Sequence, residues 1–226
     1  MLMPTRSVIF ARPKVVASYV SKGKNETDLS TYSFASQNIG TPDSCRVVVV
    51  GIFFNAGGTV SCTGCTIDGV SATNLTSVVE GSGVSTGISL FALQQSSGST
   101  ATVAFTLSGV AVRGGIIVWN VLNKRNGVAP HHTTTAQASS PTTSTLRVPA
   151  QGCAIAAAFS AQSGTNSVTW TSAFNENVDE LMGTTDNTYS AATLDFSQPS
   201  IQEQSVSATW GGAPTRPVLA AASWGA

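Results

Sequence analysis

Three runs in this chain are apolar on both faces of an extended strand, and only a strand covered on both sides accommodates that pattern. Cys45–Phe54 reads Cys-Arg-Val-Val-Val-Val-Gly-Ile-Phe-Phe, and Gly114–Leu122 reads Gly-Gly-Ile-Ile-Val-Trp-Asn-Val-Leu. Cys153–Ser160 is the third, although its alanines alone would also permit a helix. All three fall well short of the roughly 18 uninterrupted apolar residues of a membrane span. They are placed centrally in a sheet.

Around them, shorter runs rich in Val, Ile, Thr, Phe and Trp alternate with Gly, Ser, Asn and Pro, and helical periodicity is nearly absent. Strands are expected at Val15–Val20, Leu29–Ser36, Val60–Ile67, Ala72–Glu80, Ser85–Gln94 and Thr100–Ser108. Further strands are expected at Ser144–Pro149, Asn166–Thr171, Tyr189–Phe196, Ser205–Trp210 and Pro217–Ser223. A strand and turn every 8–12 residues or so is the spacing of a sandwich or jelly roll. The expected class is all-β, a β-sandwich or jelly-roll-like fold over residues 15–226, with residues 1–14 as an extended N-terminal arm. Residues 123–143 read as a long polar connection, either a crossover between sheets or a division between two related modules. No clean internal repeat in the sequence favours the second.

Only 10% of the 226 residues are charged, against about 25% in an average soluble domain. Ser, Thr, Asn, Gln and Gly supply the polarity instead, so copies repel one another weakly and tolerate close packing. The formal net charge of zero argues against a general nucleic-acid or membrane-surface binder. The distribution is uneven. Arg6, Arg12, Lys14, Lys22 and Lys24 precede the first acid, and no carboxylate lies between Glu80 and Glu176. Acids then gather at Glu176, Asp179, Glu180, Asp186, Asp195 and Glu203. Solvated surface accounts for such runs, and head-to-tail complementarity between neighbouring copies is the sharper reading. The opening residues carry no apolar signal-peptide core, so synthesis and folding in a cytoplasm, with reduced cysteines, are expected.

The motifs that carry chemistry elsewhere do not assemble here. Gly83-Val84-Ser85-Thr86-Gly87 fits the nucleophile-elbow pattern, but a strand follows it, and no acid lies between Ser85 and the only histidines, His131 and His132. Cys62-Thr63-Gly64-Cys65 has no second pair at zinc spacing, and it runs into a strand rather than a helix N-terminus. His131-His132 reads as solvated loop. Asn175–Glu180 offers oxygens to a hard cation but lacks the glycine and distant glutamate of a calcium loop. Trp119 reads as core. Trp170 and Trp210 fit either face of a strand, and Trp224 plugs a sheet edge or an intersubunit pocket. No catalytic residue, metal or cofactor is expected.

Four stretches carry a resemblance: Asp28-Leu29-Ser30-Thr31-Tyr32-Ser33-Phe34, Asn38-Ile39-Gly40-Thr41, Cys45–Gly51 and Thr66–Thr73. Together with Arg113–Trp119, they resemble poorly characterised virion proteins of tailed bacteriophages over roughly residues 28–122. The resemblance implies a β-sandwich virion protein on the capsid exterior or a tail appendage, and it supplies no catalytic residues. The expected function is a capsid decoration (cement) protein bound to the major capsid protein and to neighbouring copies of itself. Arg6, Arg12, Lys14, Lys22, Lys24 and Trp224 are its candidate contacts. The alternative is a tail-associated or receptor-binding module.

Overall fold

The computed structural model describes residues 13–124, 129–137, 140–161, 167–183 and 187–226. Nine strands come first: β1 Val16–Asn25, β2 Leu29–Asn38, β3 Val47–Ala56, β4 Cys62–Ile67, β5 Val70–Ser71, β6 Thr73–Glu80, β7 Ser85–Gln94, β8 Thr100–Ala111 and β9 Arg113–Leu122. Eight follow: β10 His131–Ala136, β11 Thr142–Val148, β12 Cys153–Ala161, β13 Val168–Trp170, β14 Asn175–Met182, β15 Asn187–Asp195, β16 Gln202–Trp210 and β17 Thr215–Trp224. No helix occurs among the described residues, so the alanines of β12 do not make one. The class is all-β, as the punctuation of the sequence requires.

The strands form four antiparallel sheets. The first unit has an inner sheet ordered β1-β9-β3-β7-β6 and an outer sheet ordered β2-β8-β4-β5. The second has an inner sheet ordered β10-β17-β12-β15-β14 and an outer sheet ordered β11-β16-β13. If the two-residue β5 is set aside, the orders are identical: β1–β4 correspond to β10–β13, and β6–β9 to β14–β17. Both units have the jelly-roll habit of placing the first strand beside the last. The repeat that the sequence hides is therefore present in the connectivity.

The two inner sheets pack face to face. β1 stands opposite β14 and β15, β3 opposite β12, and β6 opposite β10 and β17. Exchanging the units carries β1–β14 onto β6–β10 and β3–β12 onto itself, a twofold-like relation within one chain, although the close approach of β7 to β17 is not matched by β15 and β9. The result is four layers with three apolar cores between them.

This layering explains the doubly apolar strands. In β3, Val47, Val49 and Phe53 enter the central core, while Val48, Val50, Ile52 and Phe54 enter the core of the first unit. β9 divides Ile117, Trp119 and Val121 from Ile116 and Val118 in the same way. In β12, Cys153, Ile155, Ala157 and Phe159 face the centre, and Ala154, Ala156 and Ala158 face the second unit's own core. There the alanine floor is complemented by Trp170, Phe174, Phe196 and Trp210, small against large. Two in-strand glycines are required by the same packing. A Cβ at Gly87 would lie 2.0 Å from the Phe54 ring, and one at Gly51 would lie 3.0 Å from Trp119.

Two segments differ from expectation. The polar connection of 123–143 contains β10 and the beginning of β11. Its His-His-Thr-Thr-Thr-Ala run has the β-branched residues of a strand but no apolar alternation to announce one. Asn175–Glu180 is not a loop but most of β14, an edge strand that buries only Val178 and Met182 well.

The central core joins the units through rings as well as aliphatics. Phe53 lies 5.8 Å from Phe159 and 5.3 Å from Tyr189, ring centre to ring centre. Truncating Phe53 removes contacts to both partners, so Phe53→Ala is expected to cost about 3–5 kcal/mol. Urea unfolding followed by both tryptophan fluorescence and far-ultraviolet circular dichroism is expected to show one coincident transition, shifted to lower denaturant. A loss below about 1 kcal/mol would show that the layer does not hold the fold.

Candidate functional site

Stacking four layers leaves two sheet faces to the outside, one on each unit. On the first, strict alternation sends Tyr32 and Phe34 of β2 and Val103 and Phe105 of β8 inward. Outward stand Thr31 and Ser33 of β2, Thr102, Ala104, Thr106 and Ser108 of β8, and Thr66 of β4. Pairing sets them in rows. Thr31 stands opposite Thr106, and Ser33 opposite Ala104, which in turn neighbours Thr66 and, beyond it, Ser71. No charged side chain stands among them.

The second outer face repeats this chemistry. Thr143 and Thr145 of β11 stand opposite Ser207 and Ser205 of β16, and Thr209 stands opposite Thr169 of β13. The Thr143 and Ser207 hydroxyls are 2.8 Å apart. Arg147 and Glu203 stand opposite each other at one end, the only charges in these rows. With strands about 4.8 Å apart and same-face residues nearly 7 Å apart, each face is a shallow grid of hydroxyls. The alternation Thr-Tyr-Ser-Phe-Ala that marks the inward aromatics also marks the outward hydroxyls, but sequence reasoning used only the apolar half of that signal.

Two cavities open at the margins. One, of about 350 Å³, lies where β5 and β6 leave the first outer sheet for the inner one, lined by Thr63, Thr66, Ser71, Asn74, Thr106 and Phe91. The other, of about 390 Å³, lies at the seam between the units, lined by Val47, Leu75, Ala92, Gln94, Pro130 and Trp224 among others.

Of the expected contact residues, Arg6 and Arg12 lie outside the described residues. Lys14, Lys22 and Lys24 reach across to the second unit of their own chain. Lys22 pairs with Glu180, Lys14 Nζ lies 3.9 Å from Asp195, and Lys24 Nζ donates to the Leu181 carbonyl at 3.0 Å. The same carboxylate, Glu180, accepts from the Tyr189 hydroxyl at 2.8 Å, and burial pushes that phenol up to about 12. The Gly183 amide donates to Glu26 at 3.0 Å, and Arg113 donates to the Met182 carbonyl at 3.1 Å. The basic start and acidic end of the sequence thus complement each other within the chain. Trp224 is 3% exposed and belongs to the central core, with part of its ring bordering the seam cavity. It plugs a contact between the two units.

The reactive motifs are absorbed by strands. Ser85 is fully buried at the start of β7, where its hydroxyl donates to the Gly58 carbonyl. All four cysteines are free, and burial raises Cys62 to about 11 and Cys65 to about 12, the opposite of what a thiolate nucleophile requires. His131 and His132 sit on β10. Trp119 is fully buried, and Trp170 and Trp210 face the second unit's core. Among the described residues, no three histidine, cysteine or carboxylate side chains converge.

Asp179 is the one carboxylate among the described residues with a buried oxygen that lacks a hydrogen-bond partner. Its Oδ2 accepts from the Val168 amide at 2.8 Å, fixing the start of β13, while its buried Oδ1 has no partner. Burial raises its pKa, and the nearby Asp179 charge adds to the burial that raises Glu176. A raised carboxylate stabilises the fold below its unfolded pKa of about 3.9 and loses that contribution as pH rises through the folded value. Asp179→Asn keeps an acceptor for Val168 and removes the charge. The variant is expected to match the wild type near pH 3 and to become the more stable of the two as pH rises to 7, in urea titrations across that range. A difference independent of pH would contradict this assignment.

No family profile, curated protein or solved structure matches this chain.

Proposed function

We propose that this protein is a non-enzymatic structural component of a tailed-phage particle, a decoration protein that seats on the outside of the head and bridges neighbouring subunits. One observation carries the reading: a Ser/Thr grid, charged only at the Arg147–Glu203 end of one face, appears on two opposite faces of a single body. Three inter-sheet spacings of about 10 Å set those faces roughly 30 Å apart. Such a body joins two partners, or two sites on a lattice, without repelling its own copies. Its contacts are hydrogen bonds and close packing rather than ion pairs, so binding is expected to change little between low and physiological salt. A strained shell gains from each added bridge because the buried interface must be given up before the subunits separate.

A tail-associated, receptor-binding role is the second reading. It is favoured by the 350 Å³ cavity at the rim of the first outer face, whose hydroxyls, Asn74 amide and Phe91 floor suit a neutral sugar.

Mixing the purified protein with heads that lack it, followed by cryo-electron microscopy, separates the two. Regular density on the shell is expected for the wild type. The Thr31→Glu variant, which places a carboxylate on one outer face without touching a core, is expected to keep its melting temperature and lose occupancy at least tenfold. Bare heads with either protein, or density that survives the charged variant, would overturn the decoration reading.

A further inference from the structure

Four open sheets present eight edge strands, and an unprotected edge is a template for pairing with another chain. Seven of the eight carry a recognisable block. β1 has a register break between Tyr19 and Ser21 and carries Lys22 and Lys24. β6 breaks between Asn74 and Thr76, β14 between Glu176 and Val178, and β2 in two places. β5 and β13 are two and three residues long. β11 is regular, but the Gln137 side chain covers its edge. That amide donates to the Thr143 carbonyl at 3.4 Å and accepts from the Thr143 N–H at 3.2 Å, as a neighbouring strand would.

β10 has none of these devices. His131–Ala136 pairs with β17 through six consecutive positions without a break. It carries no Lys, Arg, Asp, Glu, Pro or Gly. Its outer backbone groups have no partner among the described residues. Its counterpart in the first unit, β1, has both a bulge and two lysines, so the two units differ in edge protection at this position.

We infer that the β10 edge is a self-association site, at which a second copy of this chain adds its own β10 antiparallel across a twofold axis. Pairing centred on Thr134 places Thr134 opposite Thr134 of the second copy, Thr133 opposite Thr135 and His132 opposite Ala136, so that the outward backbone groups of 132, 134 and 136 meet their equivalents. Threonine pairs suit adjacent antiparallel strands, and no like charges meet. The second copy is the occupant because the edge is neutral and complementary to itself, and because so weakly charged a surface lets copies approach. The β10-β17-β12-β15-β14 sheets of the two copies then run on as one ten-stranded sheet. This inference does not depend on what the outer faces bind.

Sedimentation velocity over a concentration series, with hydrogen exchange of the β10 amides, tests it. The wild type is expected to form a dimer, with the outward amides of His132, Thr134 and Ala136 protected only at concentrations where the dimer forms, and the alternate amides, paired with β17, protected throughout. Thr135→Lys, at a half-exposed position, is expected to weaken the dimer at least tenfold while leaving the melting temperature unchanged. A wild type that stays monomeric at every concentration overturns the inference, as does a dimer that leaves β10 exchange unchanged. Should the lysine variant melt early, the wild-type exchange data alone decide.

Discussion

The structure depends on the apolar layer between the two inner sheets. Antiparallel sheets ordinarily bury one face and leave the other to water, and each unit alone would leave a sheet of Val, Ile, Phe and Trp exposed. Packing β3 against β12, with Phe53 between Phe159 and Tyr189, removes both faces at once. The polar contacts around the layer serve alignment more than stability. Exposed or half-exposed pairs such as Lys14–Asp195 contribute about 0–1 kcal/mol each. Lys22–Glu180–Tyr189 and the Lys24, Glu26 and Arg113 contacts to the Leu181–Gly183 turn fix how the units register.

Which parts of this were legible in the sequence follows from what each residue does. The runs of β3, β9 and β12 announced burial on both faces, and Ser85–Gln94 could be placed to the residue, because apolar periodicity is a local property. The partner of each extra face was not legible, since nothing local distinguishes a central strand of one sandwich from a strand shared between two cores. The duplication was hidden for a related reason. Toward its own unit's core β3 presents Val, Ile and Phe, whereas β12 presents alanine and leaves the volume to Trp170 and Trp210, so the equivalent strands share a role but few residues. β10 and β14 were missed because edge strands bury little and so show little periodicity. The basic and acidic ends were legible as complementary, but the sequence could not say whether the complement lay in the same chain. Trp224 carries the same lesson: its ring fills an interface, and that interface is internal.

Covering the inner faces against each other decides what remains for function. The two faces left outside are hydroxyl grids of the same kind, charged only where Arg147 and Glu203 face each other at one end, while Lys14, Lys22, Lys24, Glu26, Arg113 and Glu180 are drawn to the seam. Among the described residues, the titratable groups that burial perturbs are three thiols, three phenols, Glu176, Asp179 and Arg46, and all but Arg46 are held within strands. Two like faces and one open edge are the features on which the proposed contacts with neighbours rest.

The most direct test of this account is to produce the two units as separate chains, residues 1–124 and 125–226, alone and together. Each alone is expected to aggregate or to remain unfolded, because its inner sheet exposes the central layer. Co-expressed, the two are expected to purify as a one-to-one complex with the tryptophan emission of the intact protein. Two halves that are each soluble, folded and indifferent to one another would contradict it.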